Sequence, residues 1–181
     1  KMFPVDGGKA AFSDFRYGNG DGWVYYISDE QSQFLSLRRH HPETGKLEII
    51  SRHVPWDVTA VDLSPSGRDL AYVANEDGIG KLRVVNLQDM SERALPEIPI
   101  GVISNIRFAP NGFELALTLN GATEPSDVYV VNVDDAKLVR WTQSEIGGID
   151  SNKLRIPRLV RYETFDQVDG KPRTIPAFYY Q

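Results

Sequence analysis

Short stretches of alternating apolar and polar residues follow one another along this chain, separated by turn residues. Val58-Thr59-Ala60-Val61-Asp62-Leu63 and Ile103-Ser104-Asn105-Ile106-Arg107-Phe108 have the apolar period of two that fits a strand with one buried face. A Pro-x-Gly turn follows each, at Pro65-Ser66-Gly67 and Pro110-Asn111-Gly112, because proline presets φ and glycine permits φ above zero. Second strands come next at Leu70-Ala71-Tyr72-Val73 and Leu115-Ala116-Leu117-Thr118-Leu119, with polar turns at Asn75-Glu76-Asp77-Gly78 and Asn120-Gly121. Third strands read at Leu82-Arg83-Val84-Val85-Asn86-Leu87 and Val128-Tyr129-Val130-Val131-Asn132-Val133, and in an earlier copy at Phe34-Leu35-Ser36-Leu37. Short fourth strands are expected near 47–50, 94–95 and 138–141. No helical periodicity is sustained anywhere, so the class is all-β.

The pattern repeats. Pro65 and Pro110, Gly67 and Gly112, and Leu70 and Leu115 each stand 45 positions apart. Stepping back by the same interval from Gly67 reaches Gly22, followed by Trp23-Val24-Tyr25-Tyr26-Ile27-Ser28, a weaker copy without the proline. A repeat of roughly 40–50 residues marks the four-stranded blades of a β-propeller, in which a single unit cannot bury its own apolar face. The expectation is a partial propeller over 1–142, with about three four-stranded antiparallel blades at about 9–52, 56–96 and 103–142. Propellers typically close with 4–8 blades, and an open arc exposes edges. Self-association through those open edges is therefore expected.

Composition narrows the function classes. The formal net charge is −5 and no long basic run is present, which argues against a nucleic-acid partner. No apolar run approaches the roughly 20 residues that span a bilayer, and Lys1-Met2-Phe3-Pro4-Val5-Asp6-Gly7-Gly8 lacks the three regions of a signal peptide. With no cysteine, disulfides and thiolate metal sites are excluded, but the chain fits a reducing or an oxidising compartment, and its localisation is left open.

After Trp141 the pattern changes. A polar, glycine-containing linker over 143–157 leads to Leu159-Val160-Arg161-Tyr162-Glu163-Thr164-Phe165, a turn-rich Asp166-Gln167-Val168-Asp169-Gly170-Lys171-Pro172, and Ile175-Pro176-Ala177-Phe178-Tyr179-Tyr180. This reads as a β-hairpin outside the repeat. Its end on an apolar aromatic strand raises the expectation of a chain cut from a longer protein, with Phe178-Tyr179-Tyr180 as the stickiest edge.

These residues carry a resemblance. The Ser-Pro-x-Gly blades resemble those of prolyl oligopeptidase-family serine peptidases, bacterial acylaminoacyl-peptidase-like members above all. The hairpin is similar to the strands that open that family's hydrolase domain, and Thr142-Gln143-Ser144-Glu145-Ile146-Gly147-Gly148 to its junction, with Gln167-Val168-Asp169 as an insertion widening a turn. The resemblance implies a propeller capping an α/β-hydrolase, with 158–181 as the opening strands of that truncated domain. It implies a peptide substrate bound through the parent protein, and a chain that gates and orients peptides without catalysing their cleavage. The blade signature is shared with TolB-type propellers, so a protein-binding propeller module is the alternative.

The chain shows no catalytic, cofactor-binding or metal-binding constellation of its own. A hydrolase nucleophile elbow is written Gly-x-Ser-x-Gly; the nearest approach, Ser64-Pro65-Ser66-Gly67, has Asp62 where the first glycine would stand and reads as a turn. His40 and His41 are adjacent, which on a strand sends them to opposite faces and suits chelation poorly; with His53 they read as exposed loop residues. Asn19-Gly20-Asp21-Gly22 and Asn75-Glu76-Asp77-Gly78 lack the alternating ligands and closing glutamate of a calcium loop and read as hairpin turns. Gly7-Gly8 and Gly147-Gly148 lack the lysine and helix of a phosphate loop. Trp23, Tyr25 and Tyr26 fit packing between blades, with a sugar or peptide pocket as the other reading.

Overall fold

Strand β6 (Asp69–Glu76) is buried over its first six residues, and its side chains alternate between two cores. Leu70, Tyr72 and Ala74 pack with Tyr25, Ile27, Leu37 and Val54. Ala71 and Val73 pack with Ile103, Phe108, Leu115, Leu117 and Leu119. Successive side chains of a strand point to opposite faces, so a strand apolar at every position is one that lies between two neighbours. The computed structural model, which describes residues 8–150, 153–168 and 170–181, places three sheets side by side in this way.

The first sheet has the order β1(Phe12–Tyr17)-β2(Val24–Ser28)-β3(Ser36–His41)-β4(Lys46–Ile49). The second is β5(Val58–Leu63)-β6-β7(Ile79–Asn86), and the third is β8(Gly101–Phe108)-β9(Glu114–Gly121)-β10(Asp127–Asn132)-β11(Lys137–Arg140). Every pairing is antiparallel, and no α-helix occurs among the described residues. The class is all-β, a partial propeller of three blades followed by a hairpin. Among the described residues no helix is long and apolar enough to cross a membrane.

The middle blade has three strands, not four. The expected strand at 94–95 is reduced to a bridge between Val85 and Glu92, supported by Asn86 N donating to Ser91 O and Arg93 N to Val84 O. Beyond it stand Pro96 and Pro99. Proline cannot donate to a ladder, and Leu95 and Ile98 turn inward against the core shared with the third blade. In the first blade, Phe34-Leu35 precedes the third strand, which begins at Ser36.

The repeat register also needs one correction. The pairs that close the inner hairpins are Tyr17↔Val24, Leu63↔Leu70 and Phe108↔Leu115. Blades two and three are 45 residues apart and blades one and two are 46, so Asp21 and not Gly22 is the counterpart of Gly67. The second and third turns are alike: Gly67 N donates to Ser64 O at 2.8 Å and Gly112 N to Ala109 O at 2.9 Å, with φ of +72° and +79° at the glycines. The first turn, closed by Gly18 N on Trp23 O at 2.8 Å, uses two glycines at positive φ, Gly20 and Gly22, in place of Pro-x-Gly.

After β11 the chain is pinned back on its own blade by Asp127. Its Oδ1 accepts from Thr142 Oγ1 at 2.6 Å and from the backbone and hydroxyl of Ser144 at 2.9 and 3.0 Å, and Arg140 closes on Oδ2. The hydrogen bonds led by Thr142 hold the carboxyl below the ordinary carboxylate range. Residues 151–152 of the linker lie outside the described residues.

The hairpin pairs β12(Arg158–Val168) with β13(Lys171–Tyr179). The expected widened turn is not where the extra residues go. Val168 pairs with Lys171 across a two-residue connection, and the register slips between Glu163↔Thr174 and Gln167↔Pro172. Three residues, Thr164-Phe165-Asp166, therefore face Arg173 alone, held by Thr164 Oγ1 donating to Arg173 O at 3.1 Å and by an Arg173–Asp166 ion pair at 3.1 Å. A bulge absorbs what the sequence assigns to the turn. Asp169 itself lies outside the described residues, as does Gly7.

Candidate functional site

The innermost strands β1, β5 and β8 share a feature that the repeat makes visible once the register is corrected. Arg16, Asp62 and Arg107 occupy equivalent positions, each one residue before the end of its strand. Asp62 is buried and ties all three blades. Its Oδ2 accepts from the backbone N of Phe108 at 2.8 Å, its Oδ1 from Arg16 Nε at 3.1 Å, and Arg107 Nη1 stands 3.7 Å from that same Oδ1. A buried carboxylate needs such partners, because an unpaired one would be costly to desolvate.

Both arginines line a cavity of about 710 Å³ bounded by the inner strands and by the β6–β7 hairpin. They also line a second, of about 410 Å³, among the adjoining turns, where Asn19 and Pro65 lie. The inner strands are bulged where they meet the larger cavity. Two residues of β1 oppose Tyr26 alone between Ser13↔Ile27 and Arg16↔Tyr25, and two of β8 oppose Leu117 alone between Ser104↔Thr118 and Arg107↔Ala116. The first residue of each bulge, Asp14 and Asn105, has φ of 52°. Asp and Asn tolerate that left-handed conformation better than other side chains. Bulges re-aim the side chains around them, and here all four polar residues, Asp14, Arg16, Asn105 and Arg107, reach the same cavity.

A third space of about 510 Å³ separates the blades from the hairpin, between Gly78 and Gly121 on one side and Ile156, Pro157, Phe178 and Tyr180 on the other. The hairpin is held there by an Arg161–Asp77 ion pair. Asp77 and Gly78 both have positive φ, 54° and 85°, the geometry of a two-residue hairpin turn. A Cβ on Gly78 would come within 3.0 Å of Phe178 Cε2, so glycine serves both the turn and the close approach.

The candidates singled out in the sequence fall elsewhere. Ser64 Oγ lies 3.2 Å from Ser66 Oγ and accepts from Asp69 N at 3.0 Å, bonds that close a turn. His40 is buried in β3 and His41 packs edge-on against Trp23 at 5.4 Å, contrary to the expected exposed loop positions. The period of two sends His40 inward, at the position that valine holds in the other blades, Val85 and Val131. His53 is exposed, with Nε2 2.8 Å from Glu92 Oε1. Asn19-Gly20-Asp21-Gly22 is a turn in which Asp21 accepts from Trp23 N and Tyr25 Oη, each at 2.9 Å. Tyr25 and Tyr26 are fully buried, and burial first, then Asp21 for Tyr25, pushes both phenols up to about 12. Trp23 carries Arg39 at 4.4 Å over its ring. No group of three potential metal ligands gathers among the described residues.

The inner-strand row escaped the sequence reading, which met Asp62 only as a departure from a nucleophile elbow. The signal was present: spacings of 46 and then 45 put Arg16, Asp62 and Arg107 in one column.

Three solved peptidases share this architecture. A prolyl endopeptidase studied for inter-domain dynamics in catalysis and specificity superposes with a TM-score of 0.69 at 18% identity, over 95% of this chain and 24% of its own. Prolyl oligopeptidase B from Galerina marginata, bound to a 25-residue macrocyclization substrate, gives 0.73 at 13% identity, over 94% and 23%. The fold is that of a prolyl oligopeptidase propeller region. Dipeptidyl peptidase 4 of Porphyromonas gingivalis gives 0.64 at 16% identity, over 91% and 22%. The chain thus spans about a quarter of the length of these structures. No protein-family model matches the sequence, and no curated protein does.

Proposed function

We propose that this chain is a non-catalytic part of a prolyl oligopeptidase-like serine peptidase, with 1–142 as propeller blades, 143–157 as the linker and 158–181 as the opening strands of the hydrolase domain. Its role there is to gate and orient peptide substrates for a Ser-His-Asp site on the hydrolase. One observation carries this reading. The 5% of the chain left outside the prolyl endopeptidase superposition is about nine residues of 181, fewer than the 24 from 158 to 181. The match therefore includes much of the hairpin, the element that a propeller-only module would not share.

The docking of that hairpin through Arg161 and Asp77 supports a junction in which blades and hydrolase meet across the cleft at Gly78. Shielding a hydrolase site behind blades favours short peptides and chain ends over folded proteins. The test is the reading frame beyond Gln181 and the protein it encodes. A Gly-x-Ser-x-Gly downstream, with peptidase activity lost on replacing its serine, is the expected result. A further blade or a stop there, or hydrolysis of chromogenic peptides by the 181-residue chain that a serine-reactive inhibitor abolishes, overturns it.

A further inference from the structure

The row Arg16–Asp62–Arg107 holds more positive charge than its carboxylate uses. Asp62 is spent on Phe108 N and Arg16 Nε. Arg16 directs Nη1 at the Phe15 carbonyl, 3.1 Å away, which leaves Nη2 without a protein partner among the described residues. The Arg107 side chain makes no hydrogen bond among the described residues; its one ion-pair partner among them is Asp62 at 3.7 Å, and the side chain is 75% exposed. One oxygen of Asp62 thus lies near both guanidinium groups, 3.1 Å from Arg16 Nε and 3.7 Å from Arg107 Nη1. Arg16 Nη2 and the Arg107 guanidinium thus keep unspent donors among residues that line the cavity.

We infer that the inner-strand cavity binds the C-terminal carboxylate of a short peptide, received by the unspent donors of Arg107 and Arg16. The guanidinium fork matches a carboxylate with two parallel hydrogen bonds, the geometry that favours arginine over lysine at such sites. The 710 Å³ volume lies within the roughly 300–1,000 Å³ of pockets that enclose small ligands. Its remaining wall suits a peptide backbone: Thr59, Asn75, Ser104 and Asn105 offer hydroxyl and amide groups, between the apolar surfaces of Ala60 and Val73. Asp14 lines the same cavity from the first blade's bulge. With Asp62 it balances the two arginines in formal charge, so a ligand is held by local guanidinium donors and not by a net positive field, which suits a single carboxylate better than a polyanion. The bulges at Asp14 and Asn105, both in a backbone conformation uncommon for residues other than glycine, hold the two walls in this arrangement.

The assignment deepens the peptidase reading and rests on it for the nature of the ligand. It is tested on the 181-residue chain by calorimetry with acetyl-trialanine bearing a free carboxylate and with the same peptide amidated. The acid form is expected to bind about tenfold or more tightly than the amide, the scale of a charge-assisted hydrogen bond. Arg107→Gln is expected to remove that preference without changing the urea midpoint, since the side chain is exposed; Arg107→Lys, which keeps the charge and loses the fork, restores part of it. Equal binding of acid and amide, binding of neither, or a preference that survives Arg107→Gln overturns the inference. So does inorganic phosphate competing as well as the peptide acid, which would make the row a general anion site. These outcomes are separate from those of the reading frame and the full-length protein. A downstream serine motif with active peptidase, together with no acid preference here, would leave the proposed function standing and this site wrong.

Discussion

Asp62 is the residue on which the inner strands converge. It joins the backbone of the third blade to the side chain of the first from a position on the second, so its carboxylate acts as a staple across two interfaces. Replacing it by alanine deprives Phe108 N of its acceptor and Arg16 of its counter-ion. Because Arg16 is partly solvated, its share is screened, and most of the loss comes from the buried amide. Asp62→Ala is expected to lower unfolding free energy by ~2 kcal/mol, the scale of a hydrogen bond to a charged group. Urea denaturation checks it; a change below about 0.5 kcal/mol, the scale of an ordinary surface substitution, would show that the blades do not depend on this contact. The residue was legible as a departure from a motif and not as a tie, because its partners lie 46 positions away on either side.

At the scale of elements, the strands and Pro-x-Gly turns were readable because their determinants are local. The period of two assigns β5 and β8, the apolar runs after the turns assign β6 and β9, and φ above zero at Gly67 and Gly112 follows from the turn chemistry. The fourth strand of the middle blade was not, since Leu95 satisfies its apolar demand inward against the neighbouring blade while Pro96 offers no donor. The connector after β11 depends on Asp127, whose partners hold its carboxyl below the usual range. The stability it contributes is complete above the unfolded carboxylate value of about 3.9. It is lost as the pH falls from there through the depressed folded value. Acidification below pH ~4 is thus expected to release the 142–144 segment, read by hydrogen exchange at Ser144. In Asp127→Asn that segment should exchange faster already at neutral pH and lose its acid dependence; an unchanged acid profile in the variant would refute the role.

For the whole molecule, apolar exposure concentrates in the hairpin. Phe165 is fully exposed, and Tyr162, Tyr179 and Tyr180 are at least half so or nearly so, at 54%, 49% and 60%. Patches of this kind mark surfaces that associate, and the three blades present open edges besides. Self-association of the 181-residue chain is expected in sedimentation velocity at tens of micromolar, where contacts of modest affinity populate. A single monomeric boundary across that range would contradict it. Tyr162→Ser with Phe165→Ser is expected to shift the distribution toward monomer if the hairpin is the contact.

The sequence by itself determined the class, the blade repeat and the hairpin that follows it, because alternation and turn chemistry act over a few residues. Only the tertiary structure decided how the copies align, where the hairpin's extra residues go, and which charges face one cavity. Those outcomes depend on contacts between residues tens of positions apart. A one-residue change in the first repeat spacing, from 46 to 45, would put Tyr17 in place of Arg16 in the row with Asp62 and Arg107. Packing settles that register, since in a strand a slip of one residue turns every side chain to the opposite face.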